Sequence, residues 1–321
     1  MPNDDRFLSG ASLVDSYGTG FTSTSVYRLP SGGGFRWVRS AGPERSEPMR
    51  PPPAAARRRM RELPAEGMDF SLPESRGHRL VYAANGPESL ANILMTQSRD
   101  HSYPRARDLL MGLGRNLGEL HSISARDVQD QGHPGISRLS GWLGDGSGAG
   151  ESGRLFTAAR KRLGSERWNL IRGWCEEFGM PAHDAVLLHG RPGTGLVVPG
   201  TNGSRAALLT GEDMATGRPS LDIGWVLGEL AELRGVVRDQ SGEAAAAEWS
   251  TLGRAFADGY GRGLSAETGR AATLCVLNHV RDYCAYVEWS EWWVPTVLNV
   301  IAEECDRGGA GMIEWGAAHD G

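Results

Sequence analysis

The hydrophobic period of this chain changes once, at Asn85-Gly86-Pro87, and that change limits what it can fold into. Before it, apolar and polar residues alternate. Ser25-Val26-Tyr27-Arg28-Leu29 and Phe35-Arg36-Trp37-Val38-Arg39 have the two-residue period of half-buried strands, with Pro30-Ser31-Gly32-Gly33-Gly34 as the turn between them. Ser12-Leu13-Val14 opens a strand ahead of them, so a three-strand meander is expected, its first turn being Gly18-Thr19-Gly20-Phe21-Thr22-Ser23-Thr24. Residues 42–53 read as an exposed loop, Ala54–Leu63 has helix-forming composition, and His78–Ala84 is a further strand. After the break the spacing becomes helical. Glu88–Met95 predicts a short helix, and Leu109, Leu110, Leu113, Leu117 and Leu120 predict a long one over Arg105–Ile123. Phe156–Phe178 reads as one long helix or a helical pair, with Trp168, Ile171 and Trp174 on one face. Residues 145–153 are a glycine-rich loop, Ala185–Leu188 and Ala206–Leu209 read as a small hairpin, and the chain is helical from Leu221 to near its end. The expectation is an α+β chain with a small β-rich lobe over residues 1–85 and a larger, mostly helical lobe over residues 86–321.

Charge and cysteine usage exclude several classes of function. With 34 basic and 39 acidic side chains the net charge is −5, which gives no basic field for gripping a phosphate backbone, so no nucleic-acid partner is expected. No run approaches the roughly 18 apolar residues of a membrane span, and the acidic Met1–Arg6 segment lacks the apolar run of a secretion signal. A cytoplasmic protein without a membrane partner is therefore expected. Cys175, Cys275, Cys284 and Cys305 are scattered, with no C-x-x-C pair and no His at zinc spacing, and read as buried thiols. Lys161 is the single lysine among the basic residues, so an imine-forming or neutral-lysine mechanism would have to use it.

Four segments, in order, carry the chemistry. Gly18-Thr19-Gly20-Phe21-Thr22 precedes Val26-Tyr27-Arg28-Leu29; Val38-Arg39 ends the third strand; Leu187-Leu188-His189-Gly190 is followed by Gly195-Leu196-Val197-Val198; and Leu208-Leu209-Thr210-Gly211-Glu212-Asp213 runs on through Gly217-Arg218-Pro219 to Leu221-Asp222-Ile223-Gly224-Trp225. Over roughly residues 12–230 this series resembles the aminoglycoside-phosphotransferase branch of the kinase-like fold. The resemblance implies a two-lobe protein-kinase-like architecture, with ATP and magnesium held between the lobes. Gly18, Thr19, Gly20 and Thr22 would cover the phosphates with backbone N–H groups, and Arg39 would supply the balancing cation. The adenine edge would meet the strand around Leu80–Ala84, at Tyr82 and Ala84. His189 would orient the catalytic loop, and Asp222 would cap and brace it.

The sequence departs from that family where the chemistry is done. Arg191 stands where the catalytic aspartate belongs, Leu196 where the asparagine belongs, and Thr210 where the metal-binding aspartate belongs. Arginine cannot act as a general base, since its pKa lies above about 12, and loss of a positioned base is worth about 10²–10⁴ in rate. Glu62, or a position at Ala55 or Ala56, would face the Arg39 cation. One reading is a pseudokinase scaffold. Another is a rewired phosphotransferase in which Arg191 stabilises charge while Glu212, Asp213 or Asp222 supplies a base or a metal ligand, Glu212 being the metal candidate. The loops His189–Pro199 and Leu209–Asp213, running into Asp222–Leu230, also resemble the divergent phosphotransferase-like proteins of class V lanthipeptide, lipolanthine and thioamitide biosynthesis. That narrower resemblance implies a component of a peptide dehydratase that phosphorylates Ser/Thr of a precursor peptide, made of a leader and a core, for elimination by a partner lyase. A small-molecule kinase of the aminoglycoside type is the third reading. Trp289, Trp292 and Trp293 read as helical packing or as a wall of the acceptor groove.

Overall fold

The computed structural model describes residues 5–45, 48–64, 66–96, 99–128 and 132–314. The expected meander is present as β1 (Ser12–Gly18), β2 (Thr22–Arg28) and β3 (Phe35–Ala41). Helix α1 (Ala54–Met60) follows, then the short strands β4 (Asp69–Ser71) and β5 (Glu74–Arg76), then β6 (Arg79–Ala84). Four of these strands join β6 in an antiparallel five-stranded sheet of order β1-β2-β3-β6-β5. The register sets Trp37 between Val26 and Tyr82, and Arg39 between Thr24 and Leu80. Since alternate residues share a face, Phe35, Trp37 and Arg39 all point the same way.

The second lobe contains α2 (Leu90–Thr96), α3 (Arg99–Leu120), α4 (Pro134–Asp145) and α5 (Ser152–Gly179). A residue with left-handed backbone, Gly164 (φ 70°), breaks α5 into a helical pair. Phe156 packs edge to face on Trp142 and Trp168, which meet each other at a tilt, all at 5.3–5.8 Å, and the three anchor α4 to α5. Short strands β7 (Val186–Leu188), β8 (Val197–Val198), β9 (Ala207–Leu209) and β10 (Ala215–Gly217) come next. Then come α6 (Ser220–Ser241), α7 (Glu243–Tyr260), α8 (Ala266–Tyr286) and α9 (Trp293–Asp306). A Ser265–Thr268 capping box starts α8.

The expected hairpin between Ala185–Leu188 and Ala206–Leu209 does not form. Instead β7 pairs with β10, while β9 pairs with β8 and, in parallel, with β4 from the first lobe. Strands of two or three residues carry too little pattern to choose partners, and here the choice is made by burial: Ala207, Leu208 and Leu209 are covered on both faces. One apolar cluster, which includes Val26, Phe35, Trp37, Tyr82, Val198 and Leu209, therefore joins sheet and helical lobe.

Helices α6 and α8 meet at a glycine seam. A Cβ on Gly224 would lie 2.6 Å from the Ala272 amide nitrogen, and one on Gly228 would lie 2.8 Å from the Ala272 carbonyl oxygen. This approach sets Trp225, Glu229 and Glu232 beside His279 and Asp282. In Gly224→Ala, overpacking against backbone should outweigh the gain in helix propensity and cost about 1–3 kcal/mol by urea denaturation. Gly263→Ala, which meets nothing within 4 Å, should stay within about 0.5 kcal/mol.

Candidate functional site

The site is built on one buried carboxylate. Asp222, fully buried in the first turn of α6, accepts hydrogen bonds from the amides of His189 (2.7 Å) and Gly190 (2.8 Å) and from His121 Nε2 (3.1 Å). His121 Nδ1 in turn accepts from the Tyr260 hydroxyl at 3.1 Å. Burial opposes ionisation, but these donors outweigh it and hold the Asp222 carboxyl below its usual range. The loop that Asp222 grips needs glycine at position 190, where φ is 87° and a Cβ would sit 1.7 Å from the Asp213 carbonyl. His189 Nε2–H donates to the Leu209 carbonyl (3.1 Å), Nδ1 accepts from the Arg191 amide (3.4 Å), and burial holds the ring neutral. His189 and Asp222 thus tie the 189–191 loop to β9 and to the start of α6.

Beside this loop lies a cavity of about 390 Å³, roofed by Tyr17–Thr24 and floored by residues 189–196, α6 and α8. Arg191 points over the Trp225 ring at 5.1 Å and pairs with Asp282 at 3.7 Å. Glu229 accepts from the Thr194 amide (2.9 Å) and hydroxyl (2.5 Å), and burial pushes its carboxyl up. Glu232 accepts from His279 Nδ1 at 2.7 Å; burial disfavours the His279 cation, but Glu232 outweighs it and raises the ring's pKa. Burial also opposes ionisation of Asp213, yet the guanidinium groups of Arg191, Arg138 and Arg45 hold it ionised below the usual carboxylate range.

Several predicted residues have other work. Glu62 is exposed and pairs with Arg59 (2.7 Å), so it does not face Arg39. The partner of Arg39 is Glu212, at 2.8 Å. The same Glu212 oxygen accepts from the Tyr82 hydroxyl at 3.1 Å, and burial raises the Glu212 carboxyl while Arg39 partly offsets the rise. Tyr82 and Ala84, expected at an adenine edge, are buried in the interlobe cluster and do not line the cavity. In the glycine turn, Gly18, Thr19 and Thr22 roof the cavity, but their neighbourhood is hydrogen-bonded inward. The Thr19 amide donates to the Thr22 carbonyl (2.8 Å), the Gly20 amide to the Tyr286 carbonyl on α8 (2.8 Å), and the Phe21 and Thr22 amides to Thr19 Oγ1 (3.1 and 3.3 Å). Phe21 is fixed further by the Tyr286 ring at 4.9 Å and by the Arg45 and Arg138 cations at 4.3 and 5.1 Å. The turn is clamped to the helical lobe through the Gly20 amide and the Phe21 ring. Trp289, Trp292 and Trp293 do not wall the cavity; Trp293 packs on Tyr283 at 4.5 Å and Trp292 is exposed.

The residues at the metal positions do not fit magnesium. Thr210 is buried and donates to the Leu208 carbonyl (3.0 Å), Leu196 has no donor atom, and Glu212 is engaged by Arg39 and Tyr82. Among the described residues no group of three His, Cys, Asp or Glu side chains stands together as a metal site.

No protein-family model matches the sequence, and no curated protein matches it. Solved structures do match. A Plasmodium vivax ethanolamine kinase aligns with 96% of this chain and 86% of its own, at 12% identity and TM-score 0.55. The amicoumacin kinase hAmiN, solved with AMP-PNP, calcium and its substrate, aligns with 93% of this chain and 88% of its own, at 10% identity and TM-score 0.53. A spectinomycin phosphotransferase, solved with ADP and spectinomycin, aligns with 94% and 92%, at 10% identity and TM-score 0.51. The chain has the two-lobe, aminoglycoside-phosphotransferase-like kinase fold. At these identities the likeness concerns the fold. Among the described residues no helix is long and apolar enough to cross a membrane.

Asp222→Asn would set an amide NH₂ against the Gly190 N–H, or against the His189 N–H and His121, and the protein should lose about 3–5 kcal/mol by urea denaturation. The contribution of Asp222 is fully present above the ordinary carboxylate value of 3.8 and is lost as pH falls through its depressed folded value. Wild type should therefore weaken more steeply in acid than the variant. The His279–Glu232 pair has the opposite sign: its contribution is present below 6.5 and lost as pH rises through the raised folded value. His279→Gln should flatten that part of the stability–pH curve in thermal melts.

Proposed function

We propose that this chain is the phosphotransferase-fold component of a peptide-modifying dehydratase of the lanthipeptide or thioamitide kind, and that it binds a precursor peptide for a partner lyase. The observation that carries this reading is Arg191. In the position of the catalytic base stands a permanent cation, stacked on Trp225 and paired with Asp282, in the wall of a cavity that Glu229 and Glu232 also line. Such a wall can accept hydrogen bonds from hydroxyl and amide groups, and the aromatic rings of Trp225 and Tyr283 offer the flat, low-entropy contacts typical of recognition surfaces. The site has charge and shape for binding, and its ionised carboxylate, Asp213, is surrounded by the guanidinium groups of Arg191, Arg138 and Arg45, which lower its basicity. The two loops quoted above supply the peptide-dehydratase part of the reading.

A phosphotransferase that acts on the peptide's Ser/Thr side chains, or on a small molecule as the structural neighbours do, is the second reading. It is favoured by the position of the cavity, between the glycine turn and the loop of His189–Asp213. The test is a candidate precursor peptide, Ser/Thr/Cys-rich with its leader, incubated with the protein, ATP and magnesium, with and without the lyase, and followed by mass spectrometry and fluorescence anisotropy. The binding reading expects saturable peptide capture without added phosphate. It also expects capture to weaken by about tenfold or more in Arg191→Ala and in Asp282→Asn, where one side of a half-buried charge pair is removed. A phosphorylated peptide would establish the second reading instead, and a protein that does neither would remove both.

A further inference from the structure

The slot in which the resemblance puts a purine is filled by the protein's own ring. Trp37 stands mid-strand on β3, opposite Val26 on β2 and Tyr82 on β6, and is 1% exposed. It packs in one cluster with Val26 and Ala84 of the sheet and with Val198 and Leu209 of the other lobe, so apolar groups from the two lobes share its surroundings. Its indole Nε1–H donates to the Gly86 carbonyl at 3.0 Å, in the segment that links β6 to α2. The rest of that linker is closed as well. The Asn85 carbonyl accepts from both the amide (3.0 Å) and the hydroxyl (2.8 Å) of Thr201, and a Cβ on Gly86 would lie 2.0 Å from the Pro199 carbonyl oxygen.

A purine base held between two lobes needs apolar groups on both faces and a carbonyl at its edge to take an N–H. An indole is a planar bicycle of similar size with one N–H donor, and Trp37 meets both requirements. We infer that Trp37 is a built-in stand-in for a nucleobase: it seals the interlobe slot, so the chain takes no nucleotide by its base. To admit a base, the indole must leave a close-packed cluster and surrender a buried hydrogen bond, and neither loss is made good elsewhere in the described structure. The cavity that remains open is lined by Arg39 and Glu212 themselves, so a ligand there meets arginine, carboxylates and tyrosine, and Trp37, Tyr82 and Ala84 are not among its lining residues.

This inference stands on the placement of Trp37 and does not rest on the peptide-binding reading. A protein that captured the peptide and also bound ATP by its base would overturn it and leave that reading intact. A protein that excluded nucleotides and ignored the peptide would do the reverse.

The test uses the full chain. Equilibrium dialysis with labelled adenosine and labelled ATP, with and without magnesium, should show no saturable binding by wild type. Trp37→Ala empties the slot and leaves the Gly86 carbonyl without its donor. It should bind indole and adenosine at least about tenfold more tightly than wild type does, and each should raise its melting temperature. N-methylindole, which has the shape without the N–H, should bind the variant more weakly than indole. Saturable ATP binding by wild type that adenosine displaces would overturn the inference, as would a folded Trp37→Ala that takes up neither indole nor adenosine. Where that variant fails to fold, the dialysis of wild type decides alone.

Discussion

Everything in the cleft hangs on the carboxylate of Asp222. A buried charge is costly unless its lone pairs are taken up, and here two backbone amides and one imidazole take them up. In return the carboxylate fixes the His189–Gly190 turn, and that turn sets the direction of Arg191. The His189 ring then reaches Leu209 and ties the loop to β9, and β9 reaches the first lobe through β4. A kinase would use this bracing to hold a base and two metal ligands in place. This chain keeps the brace and changes what is braced.

The exchanges agree with one another. A cation at position 191 is matched by Asp282 on α8, and Arg39 has moved its pairing from the first lobe's helix to Glu212. Thr210 turns its hydroxyl back to its own strand. The amides of the glycine turn are answered within the turn and by Tyr286. The side chains at positions 39, 191 and 210 thus each meet protein.

Much of this could be read from the chain itself. The change of period at Asn85–Pro87 separates sheet from helices, because side-chain direction repeats every two residues in a strand and every 3.6 in a helix. The order of the four motif segments points to one loop region, and the structure brings His189, Arg191 and Asp222 together there. Pairing of the short strands was not legible, since three apolar residues fit any neighbour. Glu229 and Glu232 lie in a helix buried on nearly every side, so no apolar stripe marked a polar face toward a cavity. His279 and Asp282 had a weak signal, three residues apart on one helix face. Trp37 showed only as an inward residue of an alternating strand; that pattern says a side chain is buried but not what it displaces. Glu62 was preferred to Glu212 because a helix near Arg39 in sequence was in view, whereas the true partner arrives from more than a hundred residues away.

The bond from the Gly20 amide to the Tyr286 carbonyl has a kinetic consequence. A glycine turn held only by its own hairpin can lift as a unit. Here the turn is tied down by that bond, by the stacking of Phe21 on Tyr286, and by two arginines over the same ring. Opening must break all of them together. Any guest whose exchange needs the roof to lift is therefore held for a long residence time.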